Sequence, residues 1–270
     1  MADSRHAISL IAPLAVLSRA EEVALRVGQA IQLGLLPDGE QLPSEAEFAA
    51  QLGVSPMTLR EALAMLRQQG LVRTLRGRAG GTFVQRPTAP QLGLLRDRLR
   101  AMSIGELRDL TDEQSAVSGA AARLAATRAS TVSVRRLVAL ADRLAGAPTT
   151  GARIMADSRF HIEVAIASKS QRLTVLEVAL QARLAELVWL PAAADDEAGR
   201  RAEPLATIPP DPAPLDSVGL DHSAAAGEHA AIAAAIEAED GYRARMLAEE
   251  HAEANLRRLT ALRRALPPPP

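Results

Sequence analysis

Three histidines and an aspartate in the second half of the chain have the spacing of metal ligands. His161 follows Asp157 by four residues on a predicted helix, so both side chains project from one face about one turn apart. His229 opens the next-to-last predicted helix, and His251 lies on the last one. If these helices pack antiparallel around a common axis, the four side chains can meet at one point. One carboxylate and three imidazoles suit a divalent ion such as zinc or nickel, with open positions for water or a carboxylate ligand.

Two other interpretations of these residues stay open at this point. An isolated histidine on an Ala-rich helix is more often a buried hydrogen-bonding residue than a ligand, and a metal site could also activate water for hydrolysis. Glu163 and Glu228 neighbour the proposed ligands, but their spacing does not require a catalytic role. His6 falls in a predicted N-terminal arm and is not proposed as a metal ligand. His222 ends a predicted insertion and would replace one of the four ligands only if the register of the helix differs from the predicted one.

A second set of side chains, before residue 90, suits contact with nucleic acid. Between Ala50 and Pro87 the chain has one acid, Glu61, and six arginines, at positions 60, 67, 73, 76, 78 and 86. The whole chain, by contrast, has a net charge of −1 and a pI near 6.5. A basic patch confined to one segment is typical of a site-specific DNA-binding protein, because a strongly basic chain would favour non-specific binding. The alternative is a solvated, Arg-rich surface on an ordinary helical hairpin.

The segment that carries these arginines has the layout of a winged helix-turn-helix. Ser44 with Glu47 predicts a capping box at the start of one helix, and Gly53 ends it. Ser55 can cap the next helix, and Pro56 suits its first position. The buried stripe of that helix is predicted to be Leu59, Ala62, Leu63 and Leu66. Two short strands, 71–72 and 82–84, then enclose a Gly-rich turn that would carry arginines to phosphate or minor groove.

The composition of the remaining chain predicts closely packed helices. The chain has 270 residues, 48% of them hydrophobic, no cysteine and only 2% aromatic residues. A core built from Leu, Ala, Val and Ile favours helices over a sheet sandwich. There is no apolar run of about 20 residues, so no membrane span is expected. Met1–Leu17 lacks the basic start and cleavage site of a signal peptide, and a cytoplasmic protein is predicted.

The predicted fold class is mainly α: an N-terminal winged helix-turn-helix of three helices and a β-hairpin, followed by an all-α helical-bundle effector domain. The predicted domain limits are an arm at 1–18, the DNA-binding domain at 19–86, a linker at 87–92 and the bundle at 93–266. A Pro-rich segment at 192–222 is predicted to be a flexible insertion. The bundle is predicted to contain at least six helices, at 103–129, 131–145, 152–168, 172–190, 223–238 and 240–265.

The first domain resembles the GntR family of bacterial transcriptional regulators. Five segments between Leu42 and Val84 follow the winged-helix signature of that family in order: LPSE, LGVS, TLREAL, GLV and RGRAGGTFV. The resemblance implies DNA contacts by a set of polar and wing residues: Ser44, Ser55, Thr58, Arg60, Arg76, Arg78 and Gly80. The family often has arginine where this chain has Ala46 and Pro56. The preferred operator is therefore expected to differ, or Arg76 and Arg78 to carry more of the affinity.

The second domain resembles the FCD-type effector domain of the FadR-like subfamily. Three segments match the pattern of that domain in order: ADSRFHIEVAIASKSQRL, GEHAAIAAAIEAED and LAEEHAEANLRRL. The resemblance implies that a divalent metal, which helps to hold a small carboxylate effector, is bound by Asp157, His161, His229 and His251. Gln114 stands at a usual arginine position and Ser118 at a usual glutamate position. The pocket should therefore be less cationic, unless Arg108 or Arg183 compensates.

The resemblance as a whole implies a homodimer, most commonly a repressor, that binds a pseudo-palindromic double-stranded operator and responds to the effector. The alternatives are a metal-dependent hydrolase and a ligand-free DNA-binding protein with a structural metal.

Overall fold

The computed structural model describes residues 17–77, 80–85, 92–190 and 222–266. It is mainly α, as predicted, with a single two-stranded sheet in the described residues. The chain divides into two units. The first unit contains the described residues up to 85, except Gln32–Leu36. The second unit contains Gln32–Leu36 and the described residues from 92 onward. Nearly all of the predicted arm, the linker and the Pro-rich insertion lie outside the described residues.

The first unit contains three helices and a hairpin, in the order predicted for a winged helix-turn-helix. Its elements are α1 (Arg19–Gln32), α2 (Glu45–Leu52), α3 (Pro56–Gln68), β1 (Val72–Leu75) and β2 (Gly81–Val84). The strands pair antiparallel, with Val72 opposite Val84. The predicted stripe of α3 is buried, and Leu59 and Leu66 are fully inaccessible to solvent.

The ends of α2 and α3 are fixed by the residues predicted to fix them. Ser44 and Glu47 form both bonds of a capping box at the start of α2. Ser55 caps α3, where its hydroxyl accepts from the backbone N–H of Thr58. Gly53 ends α2 in the left-handed region, with φ 65°, where a side chain would be strained. The turn between the two helices is therefore specified locally.

The second unit contains seven helices in the described residues. They are α4 (Leu92–Ala101), α5 (Ile104–Arg128), α6 (Thr131–Ala145), α7 (Thr150–Ala167), α8 (Gln171–Val188), α9 (His222–Glu237) and α10 (Gly241–Ala265). The sequence did not predict α4, which begins where the linker was expected to end. This helix buries Leu95 and Leu99, four residues apart, on one face.

The two long helices α5 and α10 pack along each other, and α7, α8 and α9 surround α5. Alanines line this contact: Ala121, Ala122 and Ala125 of α5 and Ala244 of α10 are fully buried. Small side chains let helix backbones approach closely. The polar residues of the candidate metal centre interrupt this otherwise apolar interior.

Candidate metal centre and nucleic-acid interface

The four predicted metal ligands lie together in the interior of the second unit. Asp157 and His161 project from α7, His229 from α9 and His251 from α10. Each is at most 5% exposed. Each offers one ligand atom, and these four atoms all lie within 4.8 Å of one another. The antiparallel packing assumed from the sequence thus does bring the four side chains to one point.

The distances within this cluster fit a shared ion. His229 Nε2 lies 2.8 Å from Asp157 Oδ1 and 3.3 Å from His161 Nε2. His161 Nε2 lies 3.7 Å from Asp157 Oδ1. Ligand atoms that bind one ion at about 2.0–2.2 Å are separated by about 3.3–3.6 Å in tetrahedral geometry and, when adjacent, by about 2.8–3.1 Å in octahedral geometry, which leaves positions for further ligands. Nitrogen and carboxylate donors at this spacing, buried away from water, suit a borderline divalent metal.

The His229 ring has a hydrogen-bond acceptor at each of its two nitrogens. His229 Nδ1 lies 2.7 Å from the carbonyl oxygen of Ala225, and Nε2 faces Asp157 as described. Because a carbonyl and a carboxylate only accept, both ring nitrogens of His229 carry protons in this arrangement. Burial opposes this charge, but the hydrogen bond with Asp157, the negative charges of Asp157 and Glu228 and the carbonyl of Ala225 together outweigh it and raise the pKa of His229. Burial lowers the pKa of His161 to about 3, which keeps that ring neutral and able to coordinate.

Residues behind His251 hold its ring in the orientation that a ligand needs. Its Nδ1 donates to Glu228 Oε2 at 2.7 Å, so Nε2 keeps its lone pair. Asn255 Nδ2 donates to that lone pair at 3.2 Å, so an ion at Nε2 would displace this hydrogen bond. Arg258 donates to Glu228 Oε1 at 2.7 Å and to Asn255 Oδ1 at 3.1 Å. Such outer partners fix the tautomer of a ligating histidine and raise its basicity.

The predicted effector residues separate into two groups. Gln114 and Ser118 are buried on one face of α5, at 1% and 4% exposure. Arg108 is exposed, since six residues place it about 240° around the helix from Gln114. Arg183 is a surface residue that pairs with Glu113 at 2.5 Å. Both arginines are therefore surface residues, whereas the uncharged residues at 114 and 118 are buried.

Several polar residues beside the cluster were missed by the sequence analysis. Asn255 follows His251 by four residues, so helical spacing alone could have identified it. Glu228 was noted only as a neighbour, without a role. Glu177 and Gln181 are also buried. Ser118, which donates to Glu177, lies 59 residues before it, and no local pattern indicates that contact.

In the first unit, the predicted DNA-contacting residues lie on and beside α3. Ser44 and Ser55 are exposed N-caps, and Ser55 also hydrogen-bonds the hydroxyl of Thr58 at 2.9 Å. Arg60 is 64% exposed and lies 3.5 Å from Glu45. This surface combines the positive end of a helix with hydroxyl and guanidinium groups, which suits phosphate and base-edge contacts.

The hairpin presents Arg76 next to a turn that requires glycine. Arg76 is exposed, while Arg78 lies outside the described residues. A Cβ on Gly80 would lie 2.6 Å from the carbonyl oxygen of Leu75, so a side chain does not fit there. Gln41, which the sequence analysis did not single out, donates to the carbonyl oxygen of Gly80 at 3.2 Å. Gly80 and Gln41 therefore shape the wing rather than supply charge to it.

Both units match known families. Residues 19–84 match the family described as bacterial regulatory proteins, gntR family, and residues 109–207 match the FCD domain. The second match includes Asp157 and His161 and ends before His229. No described helix is long and apolar enough to cross a membrane.

Curated relatives support the same assignment. The chain is 45% identical over 175 residues to the putative HTH-type transcriptional regulator RmpR of Mycobacterium gastri, a match that covers 65% of this chain and 64% of that protein. It is 28% identical to the HTH-type regulator Rv0494 of Mycobacterium tuberculosis, over 81% of this chain and 85% of that one. A solved structure described as a putative transcriptional regulator GntR from Rhodococcus has a TM-score of 0.46 and 21% identity and covers 90% and 98% of the two chains; the assignment does not depend on this distant similarity. The chain belongs to the GntR family and joins its helix-turn-helix domain to an FCD domain.

Proposed function

We propose that this protein is a transcription regulator that binds operator DNA through its first unit and senses a small carboxylate through a divalent metal in its second. The metal is zinc or nickel. The buried cluster of one carboxylate and three imidazoles carries the proposal, because it would be costly to bury these groups without a shared ion. The protein acts as a homodimer on a pseudo-palindromic site, most simply as a repressor.

The arginines of the first unit supply the proposed DNA contacts. Arg60 and Arg76 are exposed beside the capped start of α3 and on the wing, respectively. A duplex selected from a random pool would provide the operator, and fluorescence anisotropy would then measure its affinity at several salt concentrations. Arg60→Ala and Arg76→Ala should each weaken binding and reduce the salt slope by about 1 if the residue contacts phosphate.

A matched control for this experiment lies on α1. Arg26 is exposed and pairs with Glu22 at 2.5 Å on the same helix, so Arg26→Ala removes the same charge away from the proposed surface. Undiminished, sequence-selective binding by the Arg60→Ala and Arg76→Ala double variant would show that another surface reads the DNA. Equal loss in Arg26→Ala would indicate a general charge effect instead.

The metal would be held by Asp157, His161, His229 and His251. The ion would act as a Lewis acid that accepts a carboxylate oxygen of the effector in an open coordination position. The protein supplies the neutral rings of His161 and His251, the carboxylate of Asp157 and a dry environment. Glu228 orients His251 and is itself bound to Arg258, so it serves as a positioning residue.

Elemental analysis of the purified full-length protein tests this ligand set. His161→Ala and His251→Ala should lose bound metal, whereas His222→Ala, which changes the other histidine of this unit, should keep it. Retention of metal in both ligand variants would exclude the proposed set. Loss in His222→Ala alone would favour a different register for α9.

Coupling between the two sites makes the protein a switch. An effector that binds one conformation better than another shifts the population between them and changes operator affinity. A coupling of about 1–3 kcal/mol would change that affinity about 5–150-fold. Metal-loaded protein titrated with small carboxylates in the operator assay should show this change. A ligand that binds the protein but leaves operator affinity unaltered would contradict the switch.

A further inference from the structure

A second buried polar group lies next to the candidate metal centre and is centred on Glu177. Its two carboxylate oxygens are each bound by one uncharged donor. Ser118 Oγ donates to Oε2 at 2.9 Å, and Gln181 Nε2 donates to Oε1 at 2.8 Å. Glu177 is 1% exposed, and both of its partners are nearly as buried. These three residues join α5 to α8 in the interior of the second unit.

Neither of these two hydrogen-bond partners of Glu177 carries a positive charge. The negative charges of Asp157 and Glu113 disfavour its ionisation. Burial, the largest effect, raises the pKa of Glu177 to about 7. A carboxylate has about four lone-pair positions, and two of them are used here. The group can therefore accept further donors, and a positively charged donor would offset the cost of burying it.

Hydrogen bonds, interrupted by one turn of α5, connect Glu177 with the metal ligands. Gln114 and Ser118 are four residues apart on α5, which places their Cβ atoms about 5–6 Å from each other. Gln114 Oε1 accepts from Asn255 Nδ2 at 3.3 Å, and Asn255 contacts His251. Glu177 thus lies about one helical turn along the bundle from the cluster. One compact molecule can span that distance.

We propose that Glu177 binds the ammonium group of an effector whose carboxylate binds the metal, so that the effector class is a small amino acid rather than a hydroxy acid or dicarboxylate. This inference rests on the proposed metal-dependent function. It assigns the uncharged Gln114 and Ser118 a purpose. An arginine at position 114 would repel the ammonium group, and a glutamate at position 118 would remove the hydroxyl that donates to Glu177.

Calorimetric titration of the zinc-loaded full-length protein tests the inference with matched pairs of ligands. The pairs are glycine with glycolate, β-alanine with 3-hydroxypropionate, and 4-aminobutyrate with 4-hydroxybutyrate. In at least one pair the amino acid should bind at least about tenfold more tightly, because a charged donor faces Glu177. Glu177→Gln keeps the shape of the side chain and should reduce that ratio to near one.

Two further variants make the test specific. Glu113→Gln removes a carboxylate that pairs with Arg183 at the surface, and it should keep the preference of the unaltered protein. Glu177→Gln combined with Gln181→Glu returns a carboxyl group to the same pair and should restore part of the preference. This rescue separates recognition from a general loss of structure in Glu177→Gln.

Three outcomes would overturn the inference. They are equal binding within every pair, no binding of any amino acid by zinc-loaded protein, and a preference that survives in Glu177→Gln. Zinc content measured before each titration separates these outcomes from failure of the proposed function. An unaltered protein that takes up no zinc would refute the metal centre itself, whereas a zinc-loaded protein that prefers hydroxy acids would refute only the role of Glu177.

Discussion

Replacing Glu228 by glutamine should weaken metal binding while leaving the fold intact. The Glu228 carboxylate accepts from His251 Nδ1 at 2.7 Å and from Arg258 at 2.7 Å. Burial opposes its ionisation, but these two hydrogen bonds lower the pKa of Glu228 to about 2. The group is therefore a full negative charge at neutral pH, and it increases the basicity of His251 through the ring.

The magnitude follows from the change in hydrogen-bond type. A hydrogen bond to an ionised group contributes about 1.5–3 kcal/mol and a neutral one about 1 kcal/mol. An amide at position 228 should thus forfeit about 0.5–2 kcal/mol, which corresponds to about 2- to 30-fold in affinity. The unpaired charge of Arg258 adds to this loss. We expect a decrease of about tenfold, at the lower end of the range for outer partners of metal ligands.

Competition with a chromogenic zinc chelator near neutral pH would measure this change. Glu249→Gln is the matched control, because Glu249 also lies on the surface of the bundle and pairs with Arg245 at 2.6 Å, away from His251. A dissociation constant for Glu228→Gln equal to that of the unaltered protein would refute the orienting role. An equal loss of zinc affinity in Glu249→Gln would also refute the orienting role, because the loss would then reflect only the change in net charge.

Three further outcomes follow from the geometry. Ser55→Ala should lower the free energy of unfolding of the first unit by about 1 kcal/mol, because the N–H of Thr58 loses its cap; an unchanged urea midpoint would contradict this. Gly80→Ala should weaken operator binding in the anisotropy assay without changing the circular dichroism spectrum, since its Cβ would displace Leu75 at the wing; full affinity would show that the wing tolerates the shift. Burial raises the pKa of Glu177 to about 7, against an ordinary 4.5. Between these two pH values the folded state keeps a proton that the unfolded state has lost. This group therefore makes the free energy of unfolding fall as the pH rises from about 4.5 to 7. Glu177→Gln should remove this decline and add up to about 3 kcal/mol above pH 7, and identical pH profiles by urea unfolding would contradict it.

Local signals made the helix-turn-helix predictable. Each boundary depends on residues within four positions of it, such as Ser44 with Glu47 and Gly53 in the left-handed region. The stripe that α3 buries has a strict helical period, so its inward face could be assigned from spacing alone. The position of Gln41 against the wing could not be predicted in this way, because it depends on a contact with a residue 39 positions away in the sequence.

The candidate metal centre was predictable only in part. Asp157 and His161 share a helix face by spacing, but their meeting with α9 and α10 depended on an assumed helix arrangement and on the resemblance to a family. The contact of Ser118 with Glu177 carried no signal, since neither residue has a neighbour in sequence that points to the other. Helix α4 was missed because it has only ten residues and directly follows the proline-containing segment that was predicted to be a linker.

Loading of this centre would exchange a proton for the ion, because His229 Nε2 is hydrogen-bonded to Asp157. An ion that binds to Nε2 must expel the proton now shared with Asp157. One equivalent of acid should therefore leave the protein for each ion taken up by this ring. The heat of metal binding would then vary with the ionisation enthalpy of the buffer, and the occupancy of the centre inside a cell would follow intracellular pH as well as the supply of metal.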